Sequence, residues 1–409
     1  MEVLPKSAVL TQLLKSVSEE NGIKNHVVTK AKTNKKGEGY LGNIFMVTVK
    51  DKNSNRELEV VIKAAYFDMK IRAMAPVRQA FQNEIYFFTN VLPAFEKFAK
   101  ECSVSQNIDF APKCLKVAVE EPEEILVLEN LLSSGFEVFA KKAVLDDQHV
   151  RLIFKTYGKL HGYSFALRDQ EPQEFKRIAE GVCNMYEGLI KSDFFSDHLV
   201  EISKLVQNTF IPEEDAEVMK KYQKYSGRNI VNTFYDLVTQ EEYYSVILHG
   251  DCWSNNMLFK YENTINSRTP IRMKLIDWQL MMVGSPVCDL SYFLYCGSSK
   301  KMFDNLNEYL HVYYESFSST LKKLGRNPKA LFPFSVLKQH WQKYSKWGMI
   351  MACVLLKLKL TNDDDCLNLT DGYDINEMSE VFANVKFDEA DFGKRVREIL
   401  WHMSEIDAL

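Results

Sequence analysis

The spacing of apolar residues changes character twice along the chain. After a start of some thirty residues that reads as one or two helices, Ile44–Lys50 (IFMVTVK) and Leu58–Phe67 (LEVVIKAAYF) are dense in strand formers. Val77–Leu92 then carries Phe81, Ile85, Phe88 and Val91 at helical intervals. Ile125–Leu128 is another apolar strand, which stops at the polar pair Glu129-Asn130 and leads into a new segment, LLSSGF. From Gln148 onward helical patterns dominate, first in QHVRLIFKTYGKLHGYSFAL and later in EEDAEVMKKYQKY. Two short strands interrupt them. Met257–Tyr261 is apolar and aromatic, Ile271–Ile276 alternates apolar with basic residues, and the polar Glu262–Pro270 between them is rich in turn formers. The tail from about Leu306 to Leu409 is again helical and aromatic, and its rings read as core. The pattern predicts an α+β chain in two lobes. Residues 1–130 form a small antiparallel sheet with helices and residues 131–409 a larger, mainly helical lobe, with a cleft at their junction, a usual place for pockets.

The densest chemistry lies in Ile247–Leu258, ILHGDCWSNNML. An apolar strand end is followed by a carboxylate, Asp251, and five positions on by a carboxamide, Asn256. One hairpin later comes a second carboxylate, Asp277, in KLIDWQ. These are the parts of a phosphoryl-transfer site: one Asp to accept a hydroxyl proton, and an Asn and an Asp to hold Mg²⁺. Pairing of the two strands would set Asn256 and Asp277 side by side at the open end, where facing positions lie roughly 5 Å apart. Asp251, on the loop entering the first strand, would point into the same space. His249 reads as a brace for that loop rather than a reacting group.

The upstream half supplies the remaining parts. Gly37, Gly39 and Gly42 fit G-x-G-x-x-G, and because a strand follows them instead of a helix, the loop reads as a flap over phosphates. Lys63 falls inside an apolar strand, where a charge is costly without a partner. Glu84 on the next helix is the candidate partner, and the pair would clamp the α- and β-phosphates. Backbone groups of Glu129, Asn130 and Leu131 stand where a hinge would meet an adenine edge. The succession of glycine loop, Lys, Glu, hinge, HGD…N and Asp predicts a protein-kinase-like fold that uses ATP and Mg²⁺.

Bulk properties exclude other classes. The chain has 409 residues, enough for about two or three domains at ~150 residues each. Its net charge is −4 and its basic residues are dispersed, which argues against nucleic acid as a partner. Eight cysteines show neither CxxC nor zinc-type spacing. No signal-peptide pattern and no apolar run of membrane-spanning length, about 18 residues, is present. A reducing cytosol with free thiols is the expected location. Cys252, beside Asp251, reads as a buried inert thiol, and Asp363-Asp364-Asp365 as a solvated loop. No obligate protein partner is evident.

HGDCWSNN resembles the HGDxWxxN loop of the ecdysteroid kinase-like family, relatives of choline kinases and aminoglycoside phosphotransferases. The order of elements resembles that family from roughly Val27 to Tyr295, with secondary matches in LVLENLLSSGF and SPVCDLSYFL. The resemblance implies Asp251 as base, Asn256 and Asp277 as Mg²⁺ ligands and Lys63 with Glu84 as phosphate clamp. It makes His249, Trp253 and Asp289 supports of the loop, Asp289 standing where these families carry a bracing acid. Three departures separate the chain from protein kinases. Asp277-Trp278-Gln279 replaces Asp-Phe-Gly, Trp253 stands where a lysine is common, and no A-P-E segment follows. They point away from peptides and toward a small-molecule alcohol. The resemblance implies an ecdysteroid or another lipophilic, hydroxylated molecule, xenobiotics included, and hence detoxification. A choline- or aminoglycoside-like kinase is the first rival and would need acidic or aromatic residues facing a cation. The second is a catalytically silent nucleotide-binding protein, against which the complete Lys/Asp/Asn/Asp set argues.

Overall fold

The structure is a computed structural model, and it describes residues 4–33, 41–104, 108–240, 242–263, 268–362, 369–371, 377, 381 and 384–409. Gly37, Gly39 and Asp363–Asp365 lie outside the described residues. The chain forms a two-lobed α+β architecture of the protein-kinase type. Its amino-terminal sheet is antiparallel, in the order β1 (His26–Thr33), β2 (Gly42–Asp51), β3 (Glu57–Ala65), β5 (Ile125–Glu129), β4 (Cys114–Ala118).

Period-two alternation decides what each face of β3 meets. Val60, Ile62 and Ala64 pack with Val47, Val49 and Val127 under the helix Ala8–Glu20, which presents Leu10, Leu14 and Val17 at helical spacing. Each buried valine, leucine or isoleucine among them contributes about 1.5–3 kcal/mol relative to exposure. Ser7 caps that helix by accepting the Leu10 N–H at 3.0 Å. Lys63 is in the opposite phase, so it faces the helix Val77–Tyr86 and the second lobe. One helix precedes the sheet, which starts at His26, a few residues earlier than expected.

The expected helix over Val77–Leu92 is present but not uniform. After Tyr86 it widens into a π-helical turn, Phe87–Val91, before resuming as Leu92–Glu101. All four expected apolar positions are buried, and Phe87 is buried with them. The second sheet has the order β6 (Phe136–Val138), β8 (Met257–Asn263), β9 (Arg268–Leu275). β9 begins at Arg268, before Pro270. Proline is tolerated there because β9 is an edge strand, and the register shifts between Lys260 and Tyr261 opposite it. Strands β7 (Val246–Leu248) and β10 (Met282–Gly284) form a short ladder.

Long helices enclose these strands. Pro286–Gly297 lies against Phe334–Leu360, close enough that a Cβ on Gly348 would come within 2.4 Å of the Ser291 backbone. Among the described residues no helix is long and apolar enough to cross a membrane.

Candidate active site

β7 is fully buried and delivers His249, Gly250 and Asp251 at its end. Gly250 has φ +82°, and a Cβ there would fall 1.9 Å from the Leu280 carbonyl oxygen, so only glycine makes this turn. His249 joins three segments. Its Nε2–H donates to the Ile276 carbonyl at 2.9 Å, which leaves Nδ1 to accept the Asp251 N–H at 3.2 Å. Burial lowers the imidazole pKa against the pull of nearby carboxylates, and the neutral ring suits both contacts. Asp289, 1% exposed, accepts the N–H groups of His249 at 2.9 Å and Gly250 at 3.0 Å, and the Cys252 thiol at 3.1 Å. Burial pushes its carboxyl up, but hydrogen bonding from His161 and the other donors prevails and holds it below the usual carboxylate value. Cys252 is buried. Burial first, then the Asp289 carboxylate, push its thiol well above the ordinary range, which makes it a poor nucleophile.

Asp251 is held at both oxygens. Tyr292 Oη donates to Oδ1 at 2.9 Å and Asn256 Nδ2 donates to Oδ2 at 2.7 Å. Burial, then the Asp277 carboxylate, raise its pKa to about 7 against these donors and Lys63. Trp253 opens a 3-10 turn, Ser254–Asn256, its half-buried ring packed on the core. The Asn256 carbonyl then accepts the Ile276 N–H at 3.0 Å, next to the Met257–Leu275 pair of the β8–β9 ladder. Asn256 and Asp277 therefore sit at the same end of the hairpin. Asp277 adopts a left-handed conformation, φ +65°, which aspartate tolerates better than most residues.

Lys63 closes the group from the other lobe. Its Nζ forms an ion pair with Glu84, which is fully buried, and lies 3.0 Å from Asp277 Oδ1. Burial alone would favour loss of the lysine proton. Asp277 and Glu84 outweigh it, so the ammonium is held charged. Asn83, next to Glu84, fixes this helix to the second lobe. Its Nδ2 approaches the carbonyls of Gln279 at 2.9 Å, Met281 at 3.0 Å and Cys183 at 3.1 Å, and its Oδ1 accepts the Cys183 N–H at 3.0 Å. Trp278 stacks on Phe87 at 3.6 Å and meets His249 edge-on at 4.6 Å. The indole thus ties the π-turn to the loop that starts at His249.

The structure thus brings Lys63, Glu84, Asp251, Asn256, Asp277, His249 and Asp289 into one connected site. Gly42 has a different explanation from a phosphate flap. It lies within β2, where a Cβ would meet the Ala64 carbonyl at 2.5 Å and the Phe81 ring at 2.7 Å, so close packing requires it. At the hinge the Glu129 N–H donates to the Lys113 carbonyl at 2.9 Å, and the Leu131 carbonyl accepts from Ser134 and Phe136, each at 3.1 Å. The Asn130 side chain accepts the Leu132 N–H at 3.0 Å. These groups are engaged within the protein. The Glu129 carboxylate pairs with Lys274 of β9, which links the lobes at the hinge. Asn83, His161 and Tyr292 were not singled out by the sequence pattern; Tyr292 stands three residues after Asp289, a helical spacing that is the one signal pointing to it.

Two of the grouped side chains can present oxygen to a cation. With its amide nitrogen on Asp251, Asn256 offers a carbonyl oxygen, and Asp277, 27% exposed, offers a carboxylate. Two hard oxygens leaving the rest of the shell to phosphates and water suit Mg²⁺. The model of the ecdysteroid kinase-like family matches residues 36–326, more than two thirds of the chain. A 4-hydroxytryptamine kinase from Psilocybe cyanescens is 29% identical over 105 residues, which is 25% of this chain and 28% of that protein. The match thus spans under a third of that relative's length.

Proposed function

This chain belongs to the ecdysteroid kinase-like family, and from that premise we propose that it is an ATP- and Mg²⁺-dependent O-phosphotransferase acting on a hydroxyl of a small lipophilic molecule, steroid-like or xenobiotic. The reading rests on one grouping of side chains: Lys63, paired to Glu84 and Asp277, beside Asp251, held by Asn256.

In this reading Lys63, oriented by Glu84, binds the nucleotide phosphates. Asn256 and Asp277 hold Mg²⁺, which when bound offsets charge on the phosphate oxygens. Asp251 accepts the acceptor's hydroxyl proton as its oxygen attacks the γ-phosphorus. A base with a pKa of about 7 is well matched to neutral pH, where it is both substantially ionised and basic enough to accept the proton. His249 and Asp289 keep the loop rigid, and Trp278 and Asn83 keep the phosphate clamp aligned with it.

The match to a 4-hydroxytryptamine kinase supports a second acceptor class, aromatic hydroxyl compounds that carry an amine. The test is Mg·ATP-dependent phosphate transfer to a panel of ecdysteroids, sterols, hydroxyindoles, choline and an aminoglycoside. Transfer to a lipophilic alcohol is expected. Transfer to choline or the aminoglycoside alone would favour the cationic rival, and ATP binding without transfer to any acceptor would favour a silent scaffold.

A further inference from the structure

The helix Pro286–Gly297 presents two side chains to the catalytic loop from one face. Asp289 takes the loop's backbone N–H groups, and one turn on Tyr292 reaches the side chain of Asp251. We infer that Tyr292 is a positioning residue for the base, its hydroxyl fixing the rotation of the Asp251 carboxylate so that a free lone pair faces the acceptor. The inference rests on the phosphotransferase reading of the site.

A carboxylate has about four lone-pair directions, and here donors occupy one on each oxygen, 2.9 Å from Tyr292 and 2.7 Å from Asn256. With both in place the carboxylate plane is set. With one alone, the group turns about its remaining bond. The two donors differ in their other duties. Asn256 also has to hold the metal, whereas the tyrosine hydroxyl serves Asp251. Tyr292 is fully buried on a helix that is itself buried along its whole length, so it has little freedom to move. Burial and the neighbouring carboxylate push the phenol well above its ordinary value, so it keeps its proton and remains a donor. A neutral donor also orients the base without forming an ion pair with it.

Tyr292→Phe removes only the hydroxyl and keeps the ring in its packing. The test is a double-mutant cycle with Asp251→Asn. It is read as phosphate transfer from Mg·ATP to the best acceptor of the panel, or to water as slow ATP hydrolysis where no acceptor is turned over. Tyr292→Phe should lower kcat about ten- to a hundredfold in the wild-type background, as expected for losing a hydrogen bond to a charged group. KM for ATP should stay within about twofold. In the Asp251→Asn background the same change should cost less than about twofold, since no base is left to orient. Equal losses in both backgrounds, or no loss in the wild type, would overturn the inference and leave the phosphotransferase reading intact. If the unaltered protein transfers phosphate to neither acceptor nor water, or Asp251→Asn is fully active, that reading fails and the inference with it.

Discussion

Lys63 Nζ on β3 and Asp277 Oδ1, 214 residues later in the chain, lie 3.0 Å apart across the junction of the lobes. The contact places one cation between two carboxylates, with Glu84 fully buried behind it. A buried charge that loses its partner typically costs several kcal/mol, whereas removing both partners is far milder.

Lys63→Met should therefore destabilise the fold by about 3–5 kcal/mol by stranding Glu84, and Lys63→Met with Glu84→Gln should recover much of that loss. Urea unfolding of the two variants measures the difference. ATP affinity should be lost in both. Equal stability of the single and double variants would mean that Glu84 does not depend on the lysine.

Asp277 is the carboxylate that a metal would have to share with Lys63. Asp277→Ala should raise the Mg²⁺ concentration for half-maximal activity by at least about tenfold, in line with losing a metal-ligating side chain. Magnesium titrations of the transfer rate provide the check. An unchanged dependence would remove Asp277 from the metal site.

The turn at Gly250 is set by contact rather than by flexibility. Gly250→Ala adds a Cβ 1.9 Å from the Leu280 carbonyl oxygen at φ +82°. The change should cost at least about 2 kcal/mol in stability and displace Asp251, lowering kcat more than KM. A variant with wild-type stability and turnover would show that this backbone relaxes at no cost.

Several of these relationships are legible in the sequence. The alternation in LEVVIKAA puts Lys63 opposite in phase to Val60, Ile62 and Ala64, and HGD…N followed by IDW set the hairpin end. Both depend on short-range periodicity, which a linear sequence carries. Asn83, His161 and Tyr292 are not, because a buried polar side chain is defined by partners distant in the chain. Asn83 meets carbonyls nearly two hundred residues away. The π-turn was hidden for another reason. Its apolar spacing matches an α-helix, and the ring that Phe87 stacks on, Trp278, lies far away in the chain. Gly42 carried the pattern of a phosphate loop, but its lack of a side chain serves the packing of β2 against Phe81.

The raised pKa of Asp251 has two consequences of opposite sign. A base must be ionised, so kcat/KM, which reports the free protein, should fall about tenfold per pH unit below about 7 and level off above it. Metal on Asp277 would weaken the repulsion that is the second cause of the shift, so the limb in kcat should lie at lower pH. For stability the folded state binds the extra proton. The fold should therefore lose stability as pH rises from the unfolded value, about 4, to about 7, and change little above it through this group. Rate and unfolding profiles over that interval test both, and a flat rate profile between about pH 5 and 8 would contradict the assignment of Asp251 as the base.

If Asp251 is the proton acceptor of a phosphoryl transfer, the nucleotide is held by other groups. The most direct measurement compares phosphate transfer from labelled Mg·ATP, and ATP affinity, in the wild type and in Asp251→Asn. The expected result is transfer to a small-molecule hydroxyl in the wild type, a loss of roughly 10²–10⁴-fold in turnover in the variant, and ATP binding that is nearly unchanged. Full turnover in Asp251→Asn, or a wild-type protein that does not bind Mg·ATP, would contradict it.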